Sequence, residues 1–458
     1  MEREERSEDP NLSGMARRAA EVLKGNDMGG WTRAAPTLYP HQWSWDSGFI
    51  AIGLAHLDTA RAARELTLLF RRQWRTGKVP HIVFNPLAPP ESYFPGPEHW
   101  ISAGVFPDAP PAPPYTSALC QPPIHAVGAL RIWEVAKGRG KDEKTALAFL
   151  REIYPKMLRW HRYLLTDRDP EESGLVTIYH PWESGTDNSP RWDEALEAVE
   201  IGVMASFRRR DLAHVDDPSE RPTDKDYARY IWLVEMIKRA RCDEREIYKN
   251  HPFRVKDVLM SAILVLANEA LLEIAGLVDA PDEERERISA WISRGRSGLE
   301  SRWDDEFGLC LDYDVRWRKP LRVRTVAGLA PLISGGIPES RRSRLLDTLD
   351  SGYFGGASGL RRLSLPPSTS PSERRFHSRS YWRGPVWPVI NWLIWKSLLR
   401  EGEETRAAEV RREAIAQIGA GGFAEYFEPF TGEPLGSDDQ SWTAAVALDW
   451  VASLRDAS

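Results

Sequence analysis

Cysteine is scarce in this sequence, with only Cys120, Cys242 and Cys310 among 458 residues. They are scattered, lacking both the CxxC spacing of a zinc site and the even count of a disulfide framework, so a reducing cytoplasm fits best. An apolar leader is also missing. The opening MEREERSEDPNLSG is charged where a signal peptide needs an apolar run, and no stretch reads as the ~18 apolar residues of a membrane helix, which disfavours secretion and membrane insertion. Nor is there a basic excess: the net charge is -6, whereas nucleic-acid binders gather Lys and Arg on one face. The ten histidines are spread out. His41, His81, His125 and His180 lie beside aromatics or prolines without ligand spacing, so no metal is expected. Strand signals are few, the best being Leu309 to Val315 (LCLDYDV), and a β-rich second domain is not expected.

What is present is helical periodicity. Apolar repeats run through residues 14–25, 47–57, 60–75, 124–138, 144–165, 193–206, 224–240, 254–277, 282–303, 324–335, 339–350, 384–399, 403–418 and 440–454. Ser261 to Leu277 and Ser441 to Leu454 are apolar around much of their circumference, as in helices packed on two sides. Short connections and no visible linker suggest helical hairpins closed into a ring, with an α-solenoid or irregular bundle as the alternative. The organisation read from this is an N-terminal segment with a lead-in helix over 1–25, then one barrel over 26–458. Two stretches stay irregular, 85–123 (Pro-rich) and 357–383, and their aromatic content favours lids over disordered linkers.

Tryptophan and tyrosine, 19 and 13 residues, sit largely beside Pro, Gly or Asp. An indole in a polar loop offers a flat apolar face and one donor, which suits stacking on a sugar ring. Four segments have that character: LYPHQWSWDSGF (38–49), YHPWESGTDNSPRWDE (179–194), YWRGPVW (381–387) and GGFAEYFEPFTGEPLGSDDQSW (421–442). Glycoside hydrolysis needs two carboxyl groups flanking the scissile bond, one protonated and one ionised. Asp187 is one candidate, though taken alone it reads equally well as the cap of a helix starting near Trp192. The fourth segment offers Glu425, in competition with Glu428, Glu433 and Asp438. Asp46, between Trp43 and Trp45, reads either as a helix cap or as a carboxylate taking two sugar hydroxyls.

In order along the chain, HQWSWDSGF, HPWESGTDNSPRWD, YWRGPVWP and FAEYFEPFTGE followed by DDQSW resemble the catalytic domain of glycoside hydrolase family 63, and within it the short bacterial members that hydrolyse mannosylglycerate or glucosylglycerate. The likeness spans about Asn26 to Trp450. It implies an all-α (α/α)6 barrel, inversion at the anomeric carbon, and no metal or organic cofactor. It implies Asp187 as general acid and Glu425, rather than Glu428, as general base. Asp46 falls where the family grips sugar hydroxyls, and Tyr39, Trp43, Trp45, Gln121, Trp182, Tyr381, Trp382, Gly384, Trp387 and Gln440 look like the wall. The β-rich N-terminal domain of the large eukaryotic processing glucosidases has no room before Tyr39, which argues against N-glycan trimming.

Inversion requires Asp187 protonated, by burial or by a neighbouring carboxylate such as Glu183, and requires the two carboxyl groups roughly 6.5–9.5 Å apart. A glycerate aglycone needs a guanidinium, and Arg221 and Tyr227 in RPTDKDYARY are the candidates, a solvated arginine being the alternative. Tyr93, with Trp100, is placed in the closing loop. The competing readings are a trehalase-like or oligosaccharide α-glucosidase on the same machinery, and a non-catalytic sugar-binding helical protein. A homo-oligomer is compatible with the sequence; a nucleic-acid or membrane partner is not expected.

Overall fold

The computed structural model describes residues 10–37, 39–100, 106–111, 113–214, 217–355 and 365–456. Parts of both long irregular stretches, at 101–105, 112 and 356–364, lie outside the described residues. Thirteen helices carry the architecture: α1 Pro10–Gly25, α2 Ser44–Ala55, α3 Thr59–Phe70, α4 His125–Gly138, α5 Glu143–Thr166, α6 Asp224–Arg239, α7 Val258–Leu277, α8 Asp282–Glu300, the short α9 Ala330–Ser334, α10 Glu339–Asp350, α11 Pro388–Arg400, α12 Glu404–Gly421 and α13 Ser441–Asp456.

Six of them form a closed inner ring. Helix α2 packs on α4, α4 on α7, α7 on α9, α9 on α11, α11 on α13, and α13 again on α2. Against this ring lie α3 on α2, α5 on α4, α8 on α7, α12 on α11 and α1 on α13. Helix α10 is tied to the same outer layer by Arg342, which donates to the Glu401 carbonyl, and by the Arg406–Asp350 ion pair. The molecule is an (α/α)6 barrel.

The sequence explains which ring each helix joins. All twelve residues of α2 are buried, and α7 is buried along most of its length, so these helices face neighbours all round. The outer α3 alternates Arg61, Arg64 and Arg71 with an apolar stripe. Helix α7 also corrects the reading that no segment is long and apolar enough to cross a membrane: it is, at 20 residues, but it is mostly buried within the barrel. Its start is fixed by Asp257, whose Oδ1 accepts from the backbone N–H groups of Leu259 and Met260.

The two ends of the barrel differ. Inner helices run into outer ones through three or four residues, as in His56–Asp58, Arg139–Asp142, Val278–Pro281, Gly335–Pro338 and Glu401–Glu403. The return from an outer helix to the next inner helix is long, and the motif segments lie on these returns or run from them into the first turns of the inner helices, as at α2 and α13. They therefore gather at one mouth, above the N-termini of the inner helices. Short antiparallel ladders brace them: Gln42–Trp43 with Ile82–Val83, Tyr426–Phe427 with Pro434–Leu435, and a four-stranded sheet ordered Thr177–Ile178, Val255–Lys256, Tyr313–Asp314, Lys319–Pro320.

Two expected elements differ. The helix expected over 193–206 stops at Glu197, and residues beyond it cross the mouth as irregular chain, where Phe207 stacks on Phe94 at 5.6 Å. The strand expected over Leu309 to Val315 is two short ones, Leu309–Cys310 and Tyr313–Asp314, because Asp312 between them turns inward to Arg191 and to the Val258 N–H.

Candidate active site

The mouth opens into a cavity with roughly 980 Å³ of atom-free space, open solvent at its entrance included, lined by aromatic rings and by the carboxyl groups of Asp46, Asp187, Asp211 and Glu425. Asp46 stands in the first turn of α2, near the end of the helix that carries the positive pole of its dipole. Of the other expected residues, Tyr39, Trp43, Trp45, Tyr93, Gln121, Trp182, Arg221, Tyr227, Tyr381 and Gln440 all line the cavity.

Trp382, Gly384 and Trp387 do not line it. Trp382 and Trp387 stack face to face at 3.7 Å behind Tyr381, both buried, and a side-chain carbon on Gly384 would fall 2.4 Å from the His377 carbonyl oxygen. They form the backing that fixes Tyr381. The cost is visible at Trp382, whose φ of 60° is left-handed, a conformation unfavourable for a bulky residue.

Glu425 is held by three donors. Its Oε1 accepts from the hydroxyls of Tyr39 at 3.0 Å and Tyr381 at 3.3 Å, and its Oε2 from the Ser437 N–H at 3.1 Å. Burial pushes the Glu425 carboxyl up, while Arg221 and these donors pull it back toward the ionised form. The competing acids of the same segment have other work. Glu428 accepts from the Phe430 and Thr431 N–H groups of its own turn, Glu433 pairs with Arg379, and Asp438 is exposed.

At Asp187 burial dominates. Burial, with the nearby Glu425 charge adding to it, pushes its carboxyl up to about 8. Glu183 is not the cause, which corrects the expectation from sequence. It is wholly buried, takes both terminal nitrogens of Arg168 at 2.8 Å and the N–H groups of Tyr179 and Cys120, and is held down at about 2 by Arg168 despite its burial. Glu183 thus pins the Asp187 segment to the segment bearing Gln121. Asp46 is pushed up to about 8, by burial first and by Glu425 second.

Arg221 is about nine-tenths buried and stacks on the Tyr381 ring at 4.6 Å, yet its Nε and Nη2 have no hydrogen-bond partner. Tyr227 lies in the wall as expected, but its hydroxyl donates to the Phe94 carbonyl at 2.9 Å and so ties helix α6 to the roof. Tyr230, Trp442, Phe94, Arg210 and Asp211 also line the cavity and were not anticipated. The signal for Tyr230 was available, since it stands three residues after Tyr227 on the same helical face. Nothing local marks Phe94 or Arg210, whose places depend on how two irregular segments cross.

Comparison with known proteins points to one family. A family described as the mannosylglycerate hydrolase MGH1-like glycoside hydrolase domain matches residues 39–443. A glucosylglycerate hydrolase of Mycolicibacterium hassiacum is 46% identical over 438 residues, covering 95% of this chain and 97% of that protein. Among solved structures, the family 63 mannosylglycerate hydrolase of Thermus thermophilus in complex with Tris and D-glycerate superposes with a TM-score of 0.86 at 39% identity, covering 95% of this chain and 99% of that one. The same enzyme in complex with glucose gives a TM-score of 0.83 at 39% identity and the same coverage.

Proposed function

The chain belongs to the family of mannosylglycerate hydrolase MGH1-like glycoside hydrolases, and from that premise we propose that it hydrolyses an α-glycoside of glycerate, 2-O-α-glucosyl- or 2-O-α-mannosyl-D-glycerate, with inversion. The observation that carries this reading is the Arg221 fork. A buried guanidinium with two unpaired N–H donors, placed in a sugar-sized cavity, is a costly arrangement unless a planar anion completes it, and a glycerate carboxylate is such an anion.

In the proposed mechanism, Asp187, neutral below about pH 8, gives its proton to the glycosidic oxygen as the bond to the anomeric carbon breaks. Glu425, whose ionised form Arg221, Tyr39, Tyr381 and Ser437 favour against its burial, takes a proton from the water that attacks the opposite face. Asp46 and the Trp43 and Trp45 rings hold the sugar, and no metal or cofactor takes part. The three free cysteines, two of them buried, agree with a cytoplasmic setting.

The test is to incubate purified protein with both glycerate glycosides and follow the first-formed sugar by proton NMR. The β-anomer is expected first, with no release by Asp187→Ala or Glu425→Ala. Arg221→Ala is expected to raise KM for the glycerate glycoside by roughly one to two orders of magnitude, the worth of a charged hydrogen-bonded contact, while KM for a neutral aryl α-glycoside is little affected and any fall in kcat from the lost charge beside Glu425 is shared by both substrates. First appearance of the α-anomer overturns inversion. Release from trehalose or a glucosyl oligosaccharide, and from neither glycerate glycoside, overturns the substrate.

A further inference from the structure

We propose that Arg191 is a positioning residue for the general acid, acting through Thr186, the residue before Asp187. The proposal rests on the assignment of Asp187 as the acid.

Arg191 is buried at the centre of a junction. Its Nη1 donates to both oxygens of Asp312 at 2.8 Å and reaches Asp257 at 3.3 Å, and its guanidinium lies 4.0 Å over the Trp192 ring. Asp257 caps α7, and Asp312 accepts from the Val258 N–H in the first turn of that helix. One end of Arg191 is therefore fixed to the N-terminus of an inner barrel helix.

The other end faces the acid. Nη2 donates to the Thr186 Oγ at 2.7 Å. The direction of every proton beyond this point follows from counting, because each hydroxyl owns one hydrogen. Ser184 Oγ spends its hydrogen on the Pro181 carbonyl at 2.6 Å, so the 2.9 Å contact between Ser184 and Thr186 must be a bond donated by Thr186. With its hydrogen so committed, Thr186 Oγ presents a lone pair to Arg191. The Thr186 N–H also donates to Ser184 Oγ, and the Thr186 carbonyl accepts from the Trp192 indole at 3.1 Å. Backbone and side chain of Thr186 are thus both fixed, and one peptide later the chain reaches Asp187. Among the described residues the Asp187 carbonyl accepts from the Tyr230 hydroxyl, a long contact at 3.3 Å, so its orientation is inherited mainly from Thr186.

Neither Thr186 nor Arg191 lines the cavity. Their effect must therefore pass through the aim of the Asp187 carboxyl toward the leaving oxygen. Proton donation matters for an alkoxide-like leaving group such as glycerate and little for fluoride, which departs without it.

The experiment compares the glycerate glycoside with the matching α-glycosyl fluoride for Thr186→Val, Arg191→Met and Asp187→Ala. Thr186→Val keeps the shape and the Arg191–Asp312 pair, so it reports even where Arg191→Met, which strands two buried carboxylates, fails to fold. The expected result is a fall in kcat on the glycerate glycoside of roughly ten- to a hundredfold for Thr186→Val, the scale of a misaimed general acid, with the fluoride changed by less than about twofold. Equal losses on both substrates, or no loss on either, overturn the positioning role. If Asp187→Ala itself shows no split between the two substrates, the acid assignment fails instead.

Discussion

At the residue scale the cavity stores three carboxyl groups pushed up by burial, Asp46, Asp187 and Glu425, and the Arg221 guanidinium with two unpaired nitrogens, an arrangement that serves proton transfer and costs stability. The Asp187 carboxyl titrates at about 8 when folded and near 3.9 when unfolded. Below pH ~4 both states hold the proton and the group is neutral to folding. As pH rises from ~4 toward 8 only the unfolded state ionises, so the folded state loses relative stability, and the loss levels off above about 8. Asp187→Asn is therefore expected to unfold at a higher temperature than the wild type at pH 7, by a gap that closes toward pH 4. Thermal unfolding of the two proteins across pH 4–8 reads this directly, and a gap independent of pH would contradict the burial of a neutral acid. Glu183 carries the opposite sign, since Arg168 holds it at about 2, so its pairing is lost only in strong acid.

At the scale of elements, the hairpin Tyr426–Phe427 with Pro434–Leu435 presents Glu425, and its exit through Gly436 is the tight point. Gly436 has φ of 77°, and a side-chain carbon there would lie 2.5 Å from the Glu425 Oε2 and 2.6 Å from the Tyr426 ring. Gly436→Ala is expected to displace the base and lower kcat by roughly tenfold or more, as misplacements near an ångström do. Steady-state kinetics check it, and an unchanged kcat would show that the carboxylate is not held from this side. The elements also show why some residues were legible in the sequence and others not. Asp187, Glu425 and Asp46 sit in dense polar and aromatic segments, a local signal. Trp382 and Trp387 carry the same local signal yet stand behind the wall, because the left-handed turn at Trp382 swings one indole onto the other. Glu183 looked like Asp187's partner from four positions away, but the chain between them turns through Gly185, and the Glu183 side chain leaves toward Arg168.

Across the whole molecule, helix existence was readable because inner and outer helices bury different fractions of their surface. Ring closure was read from the short connections and the family resemblance and not from periodicity, because it depends on a contact between helices far apart in sequence, α2 and α13. The seam is close: a side-chain carbon on Gly53 of α2 would lie 2.4 Å from the Ala445 Cα of α13, and one on Gly128 of α4 would lie 2.7 Å from the Gly48 carbonyl oxygen. In an isolated helix Gly53→Ala would stabilise by roughly 1 kcal/mol. Here it is expected to destabilise by ~1–3 kcal/mol through overpacking against backbone, and a denaturant titration would detect the reversed sign.

That seam also joins the two ends of the chain. Asn26, just after α1, donates to the Asp439 carbonyl and to Ser441 at the start of α13, so the two helices run antiparallel. Gln440, at the mouth, belongs to that shared end. The first turn of α1 and the last turn of α13 therefore point toward the opposite pole, the one that carries the short turns. The barrel is thus almost a circle of helices: a linker joining α13 to α1 at this pole and a cut in one of the short turns would give a circular permutant with every mouth segment still in its original order around the ring.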